Sequence, residues 1–173
     1  MAEEYLLDDF SKGNGVSVFG TSWQGFTDQV MGGRSEIEVR LLQEDDTLFL
    51  RMTGNVSLKN NGGFIQVRLP LEKEGKQFDA SGFSGVLLQY RTAAAGSYYL
   101  HMRTSRNRFP WAHFAAPIPP APEWKEARVP WEAFEKQLTP LRTPRLNKLT
   151  SIAVVAAKEE FTALIDIRYI GLY

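Results

Sequence analysis

The strongest constraint on this chain is a period of two that recurs along its whole length. Between residues 35 and 41, Ile37, Val39 and Leu41 alternate with Glu36, Glu38 and Arg40. Successive side chains of an extended backbone point to opposite faces, so this pattern predicts a half-buried strand. The same alternation predicts strands at 47–53 and 64–69, the latter with Ile65, Val67 and Leu69 inward and ended by Pro70, which cannot donate to a ladder. Further strands are expected at 56–59, 86–92, 97–104, 112–116, 124–129, 151–157 and 161–173, the last placing Ala163, Ile165, Ile167 and Tyr169 on one face. Asp45-Asp46 fits a tight hairpin turn, and Asn60-Asn61-Gly62-Gly63 stops an extended piece. Pro130 followed by Trp131 and Phe134 predicts one short helix over 130–135.

About ten short strands at this spacing predict an all-β fold, an antiparallel β-sandwich or jelly roll, with residues 1–173 as one domain. A closed up-and-down barrel is the alternative, and the irregular loops at 20–34 and 105–122 favour the sandwich. At 173 residues such a domain buries roughly 70% of the surface its unfolded chain exposes.

Composition narrows function mainly by exclusion. The chain has no cysteine, which removes disulfides, thiolate metal sites and thiol nucleophiles. Twenty basic and twenty acidic residues balance to zero, against a nucleic-acid binder. No apolar run reaches the length of a transmembrane helix. Residues 1–9 are acidic and lack a basic-then-apolar leader, so a cytoplasmic location is expected.

Catalytic constellations are equally scarce. His101 and His113 are the two histidines, and neither stands in a GxSxG, HxxxH or HExxH context. The acids fall on solvent-facing strand positions or in turns, which is solvation rather than an acid/base pair. Gly13-Asn14-Gly15 and Gly32-Gly33-Arg34-Ser35 are not followed by the helix a phosphate loop needs. No cofactor is expected. Asp8, Asp9 and Asp166 lie on the first and last strands, which adjoin in many jelly rolls; they stand either as solvated acids or as oxygen ligands of a structural Ca²⁺.

The positive signal is a face. Alternation puts Phe64, Gln66 and Arg68 on one side of their strand; likewise Leu87, Gln89 and Arg91; Tyr99, His101 and Arg103; and Trp111 with His113. If these strands share a sheet, the face carries arginines, amides and rings but few acids. Guanidinium and amide groups beside flat rings suit sugar hydroxyls, carboxylates or phosphates. Two readings stand, an ordinary solvated face and a ligand or partner surface. Two glycine-rich loops accompany it, Asp28-Gln29-Val30-Met31-Gly32-Gly33-Arg34-Ser35 and Asn60-Asn61-Gly62-Gly63-Phe64. The favoured reading makes them tight turns packed on each other, Asp28 and Asn61 satisfying backbone N–H groups.

These loops, with Trp23, Gly54-Asn55-Val56-Ser57-Leu58, Tyr99-Leu100, Arg103, Trp111, Phe114, Trp124, the Val129-Pro130 step and the closing Ile167-Arg168-Tyr169-Ile170-Gly171-Leu172-Tyr173, resemble the complex I intermediate-associated protein 30 family over nearly the whole chain. The resemblance implies a galactose-binding-like jelly roll similar to carbohydrate-binding modules. It also implies a non-enzymatic role: eukaryotic members act as assembly factors for NADH:ubiquinone oxidoreductase and offer no catalytic residues to carry over. The expectation is therefore a protein that binds a protein partner through the polar-aromatic face and the two loops. Binding of carbohydrate or another small ligand is the alternative.

Overall fold

The computed structural model describes residues 3–173, the side chain of residue 61 excepted. Twelve strands form two antiparallel sheets. In chain order they are β1 (Tyr5–Asp8), β2 (Gln24–Thr27), β3 (Glu36–Glu44), β4 (Thr47–Val56), β5 (Phe64–Pro70), β6 (Gly85–Thr92), β7 (Tyr98–Thr104), β8 (His113–Ile118), β9 (Lys125–Pro130), β10 (Glu135–Gln137), β11 (Leu149–Ala157) and β12 (Phe161–Leu172). The first sheet runs β3-β4-β12-β6-β9, with β1 on the far end of β12; the second runs β10-β8-β7-β11-β5-β2. This is the sandwich expected from the alternation, a jelly roll.

The core lies between the sheets and takes every second residue of the central strands. Leu50 and Met52, Ile165 and Ile167, and Val86, Leu88 and Tyr90 face Ile65, Val67 and Leu69, Leu100 and Met102, and Ile152 and Val154, all buried. Each such aliphatic side chain contributes roughly 2 kcal/mol by leaving water. Truncating one, as in Leu100→Ala, costs about 3 kcal/mol because a cavity remains.

Three local features depart from the sequence pattern. In β12 the pairing to β6 shifts between Ile167 and Tyr169, a bulge at Arg168. One extra residue reverses the inside–outside parity, so Ile170 and Leu172 are buried while Arg168 and Tyr169 are half-exposed. The extended piece expected at 56–59 is instead the end of β4 followed by a 3₁₀ turn, Lys59–Asn61, with Asn60 at φ 57°. The helix expected at 130–135 is a single 3₁₀ turn, Trp131–Ala133, leading into β10; Trp131 donates its indole N–H to Phe83 O at 2.7 Å. Two further 3₁₀ turns cover Asp28–Met31 and Leu146–Lys148. The β3–β4 hairpin turns through Asp45 at φ 53°, a left-handed conformation Asp tolerates, as the Asp45-Asp46 pair suggested. No helix is long and apolar enough to cross a membrane.

Candidate functional site

The outward face of the second sheet is ordered by its register. Gln24 opposes Arg68, Arg68 opposes Ala153, Ala153 opposes His101, and His101 opposes Ala115. In the next row Phe26, Gln66, Val155, Tyr99 and Pro117 stand opposite one another in turn. On the other side Ser151 opposes both Pro70 and Arg103, and His113 opposes Gln137. The central strand β11 thus offers only small side chains, and the larger ones on either side lean over it. Ala153, Val155 and Ala157 are buried although they face outward, packed against Phe64 and Tyr99.

The polar groups on this face lack acidic partners. The Arg68 guanidinium sits 4.3 Å from the centre of the Phe26 ring and makes no ion pair or hydrogen bond among the described residues. Burial pulls its pKa below the usual arginine value. Arg103 is committed to backbone: it donates to the carbonyls of Asn107, Phe109 and Ala112 at 2.8–3.1 Å and holds the β7–β8 loop. Burial, then the nearby Arg68 charge, lowers its pKa too. His101 and His113 are diagonal neighbours with ring centroids 4.0 Å apart and planes at 21°. Burial, then His113, then Lys158 hold the His101 pKa well below 6.5; burial first, with Arg103 and Lys158, lowers that of His113. Both imidazoles are therefore neutral at neutral pH. His113 Nδ1 lies 2.8 Å from Trp111 O, and Lys158 stands over the Tyr99 ring.

Not every residue expected here is here. Gln89 and Arg91, with Leu87, belong to β6 and lie on the outward face of the opposite sheet, a correction that single-strand alternation could not supply because it does not say which strands pair. There Arg91 donates to Asp166 Oδ2 at 2.7 Å and to Glu44 Oε2 at 2.9 Å, and Arg51 grips Asp166 with two bonds of 2.7 and 2.9 Å. Arg91 and Arg168 flank Trp124 at 4.5 and 4.6 Å, and Arg168 donates to Gln89 at 3.0 Å. Hydrogen bonding to Glu44 and Asp166 raises the Arg91 pKa, and bonding to Asp166 raises that of Arg51. With two guanidiniums on its oxygens, the buried Asp166 is not available as a calcium ligand. Asp9 accepts from Ser11 N, and Asp8 accepts from Phe10 N, Val18 N and Trp23 Nε1. Among the described residues no cluster of acids or histidines could hold a metal ion. Trp111 precedes β8 rather than lying in it, and stacks on Phe109 with centroids 5.0 Å apart and planes at 6°.

The two glycine-rich loops meet at one buried carboxylate. Asp28 accepts from Ser35 N at 2.9 Å, Ser35 Oγ and Gly63 N at 2.5 Å, and Phe64 N at 3.3 Å. Burial works to raise its pKa, but these bonds outweigh it and hold the carboxyl below the usual range. Ser35 Oγ in turn accepts from Ser57 N, tying in the end of β4. Gly33 and Gly62 are required here for space: a Cβ on either would collide with the Asp28 side chain. The clamp faces inward and leaves Met31, Gly32 and Asn60 exposed at its rim; the side chain of Asn61 lies outside the described part. Beside it is an open hollow lined by Arg34, Glu36, Asn55, Ser57, Lys59 and Asn60, and a second opens beside Gly20 and Lys73.

The residues of this clamp fall within a wider match, in which a model of the complex I intermediate-associated protein 30 family aligns with residues 9–158. The chain belongs to this family. No curated protein sequence matches it. Among solved structures, it is similar to the family 11 carbohydrate-binding module of the cellulosomal cellulase Lic26A-Cel5E of Clostridium thermocellum: TM-score 0.77, 17% identity, covering 99% of this chain and 95% of that one. The family 11 module from Clostridium thermocellum in complex with a β-1,3-1,4-mixed-linked tetrasaccharide gives TM-score 0.75 at 14% identity, covering 99% and 96%. TmCBM61 in complex with β-1,4-galactotriose gives 0.53 at 10%, covering 99% of both chains. At these identities the likeness is one of fold.

For this member of the complex I intermediate-associated protein 30 family, the face also contains residues that single-strand reading missed. Phe26 reaches it from β2, a four-residue strand with a glycine inside and no visible alternation. Lys158 comes from a turn at φ 72° just past β11. Phe109 could have been found, because Phe109-Pro110-Trp111 places two large rings in a loop segment rather than a strand.

Proposed function

We propose that this protein is a non-enzymatic binding protein that holds a protein partner, as respiratory complex I assembly factors do, on the outward face of the β2-β5-β11-β7-β8 sheet. The observation that carries this reading is the half-buried Arg68, unpaired over Phe26 in a row that meets no acid until Glu135 on the edge strand β10. A guanidinium partly removed from water without an anion is costly in the free protein and is relieved by a partner's carboxylate or carbonyls. Gln66, Tyr99, His101 and His113 complete the footprint, with Arg103 and Trp111 at its edge and Met31 and Asn60 at the clamp's rim. Asp28, Gly33 and the backbone around Gly62 and Gly63 shape the scaffold rather than touch the partner.

The test is affinity capture from the source organism with the wild-type chain and with Arg68→Ala and His101→Gln. The reading predicts one reproducible partner, lost in both variants with the fold intact. Equal capture by all three overturns it.

A second reading has its own support. The similar module bound to a tetrasaccharide shares the fold, and Tyr99 and Phe26 present flat rings beside Gln66 and Arg68. Carbohydrate binding predicts a hit on a glycan array that Tyr99→Ala abolishes, and no hit removes it.

A further inference from the structure

One end of the second sheet, sharing only Trp111 with the edge of the partner footprint, combines an apolar and a basic signal. Residues 80–122 and 136–158 contain no Asp or Glu. The fold brings parts of both segments together at one end of the second sheet. There the β7–β8 loop meets the segment after β10: Asn107 Nδ2 donates to Thr139 Oγ1, Ser105 N donates to Lys148 O, and Gln137 pairs with His113. Three large apolar side chains stand in water at this end, Phe109 at 53% exposure, Trp111 at 50% and Leu138 at 72%. Leaving stacked rings so exposed is unfavourable for an isolated soluble domain.

The loop that carries them is braced. Arg103 donates to three of its carbonyls, Asn107 Oδ1 accepts from Thr104 N at 2.8 Å, and Ala112 N closes back on Phe109 O. The exposed Arg106, Arg108, Lys136, Arg142 and Arg145 lie on the same segments, and none forms a salt bridge among the described residues. Of the acids on adjoining segments, Asp79 is engaged by Ser81, Glu72 and Glu74 lie beside Gly20 and Thr21, and Glu135 stands alone on β10.

We propose that this end of the molecule docks on an anionic membrane surface, with Phe109, Trp111 and Leu138 entering the headgroup region and the surrounding arginines and lysine facing the lipid charges. Aromatic residues favour that interface, and stable peripheral attachment needs an apolar and a basic signal together, which this end supplies. An acidic peptide is the competing occupant. It would be read by the arginines alone, whereas the exposed Phe109, Trp111 and Leu138 beside them call for an occupant with an apolar layer under its charge. The surface shares Trp111 with the edge of the partner face, but Arg68, Tyr99 and His101 take no part in it, so their variants separate the two readings.

The experiment is co-sedimentation of the full chain with phosphatidylcholine vesicles, with and without about 30% phosphatidylserine. The expected result is binding to the anionic vesicles only. Arg106→Ala with Arg108→Ala lowers it about 30-fold. Phe109→Ala with Trp111→Ala lowers it more than about tenfold, while Trp111→Phe keeps most of it. All of these positions are exposed, so the variants fold, which circular dichroism verifies. Absence of binding to anionic vesicles overturns the proposal. So does undiminished binding of the Phe109/Trp111 pair variant. Binding of soluble polyglutamate that the ring substitutions leave unchanged, with vesicle binding displaced by it, assigns the surface to acidic peptides and also overturns the proposal.

Discussion

The two outward sheet faces carry similar residues and do opposite things with them. On the β3-β4-β12-β6-β9 sheet, Arg51 and Arg91 close on the buried Asp166, Glu44 takes the remaining side of Arg91, and Trp124 lies between Arg91 and Arg168. Each of these charged groups has an internal partner. On the β2-β5-β11-β7-β8 sheet, Arg68 has a ring beneath it and no acid, and two neutral imidazoles stack at 4.0 Å. Arginine beside aromatic residues is therefore no mark of a site in itself. What distinguishes the faces is whether the charge is already answered within the fold.

The contrast between answered and unanswered groups can be broken experimentally, most strongly at the clamp. Asp28→Ala leaves Gly63 N and Ser35 N unsatisfied in a buried place and is expected to cost about 4 kcal/mol. Chemical denaturation measures it, and a loss under about 1 kcal/mol would show that the loops do not depend on this carboxylate. Next, Asp166→Ala strands two partly buried guanidiniums and is expected to cost about 3 kcal/mol in the same assay. Phe49 and Trp124, which pack beside those arginines, would then become more accessible.

A smaller effect follows from the histidines. The folded pKa of His101 lies well below its unfolded value near 6.5. Above pH 6.5 the ring is neutral in both states and contributes no pH dependence. As pH falls below 6.5 the unfolded chain binds the proton first, so stability is lost progressively toward the folded pKa. Melting temperature should drop between pH 7 and pH 5, and His101→Gln should flatten that slope. An unchanged slope would place the titration elsewhere. The smallest effects separate the faces most cleanly. Glu44→Ala, at an exposed end of the network, should leave the denaturation midpoint nearly unchanged. Arg68→Ala should change stability by no more than about 0.5 kcal/mol while abolishing partner capture, because it removes a group the fold itself does not answer.

The architecture was legible because alternation survives in isolation. Ile65, Val67 and Leu69 announce their inward face whatever strand lies beside them. Pairing was not legible, since the period of two is the same in either sheet, and β6 was accordingly grouped with β5 and β7. Short elements escaped for a related reason: Tyr5–Asp8, Gln24–Thr27 and Glu135–Gln137 are three or four residues long, below the length at which a period shows. The clamp was half legible. The glycines and Asp28 pointed to packed turns, whereas the role of Ser35 as the link to Ser57 depends on contacts between residues far apart in the chain. The bulge at Arg168 illustrates the limit, because one extra residue turned Tyr169 and Ile170 to faces opposite those the alternation assigned.

The position of β12 bears on how the chain acquires its shape during synthesis. β4 and β6 flank it and reach each other only through it, yet both emerge from the ribosome long before it. Until β12 arrives, each presents an open edge to the other, and Arg51 and Arg91 lack the Asp166 carboxylate that joins them, Glu44 engaging only one side of Arg91. The second sheet waits almost as long, since β5 and β7 are joined only through β11, which ends at Ala157 just before β12 begins at Phe161. A nascent chain of this protein would thus carry two divided sheets until its last two strands arrive, with Arg51 and Arg91 on the margins of one of them. Arrival of β12 closes the gap and brings Asp166 between the two arginines, so the unpaired strand edges that favour aggregation persist until the last strands are made.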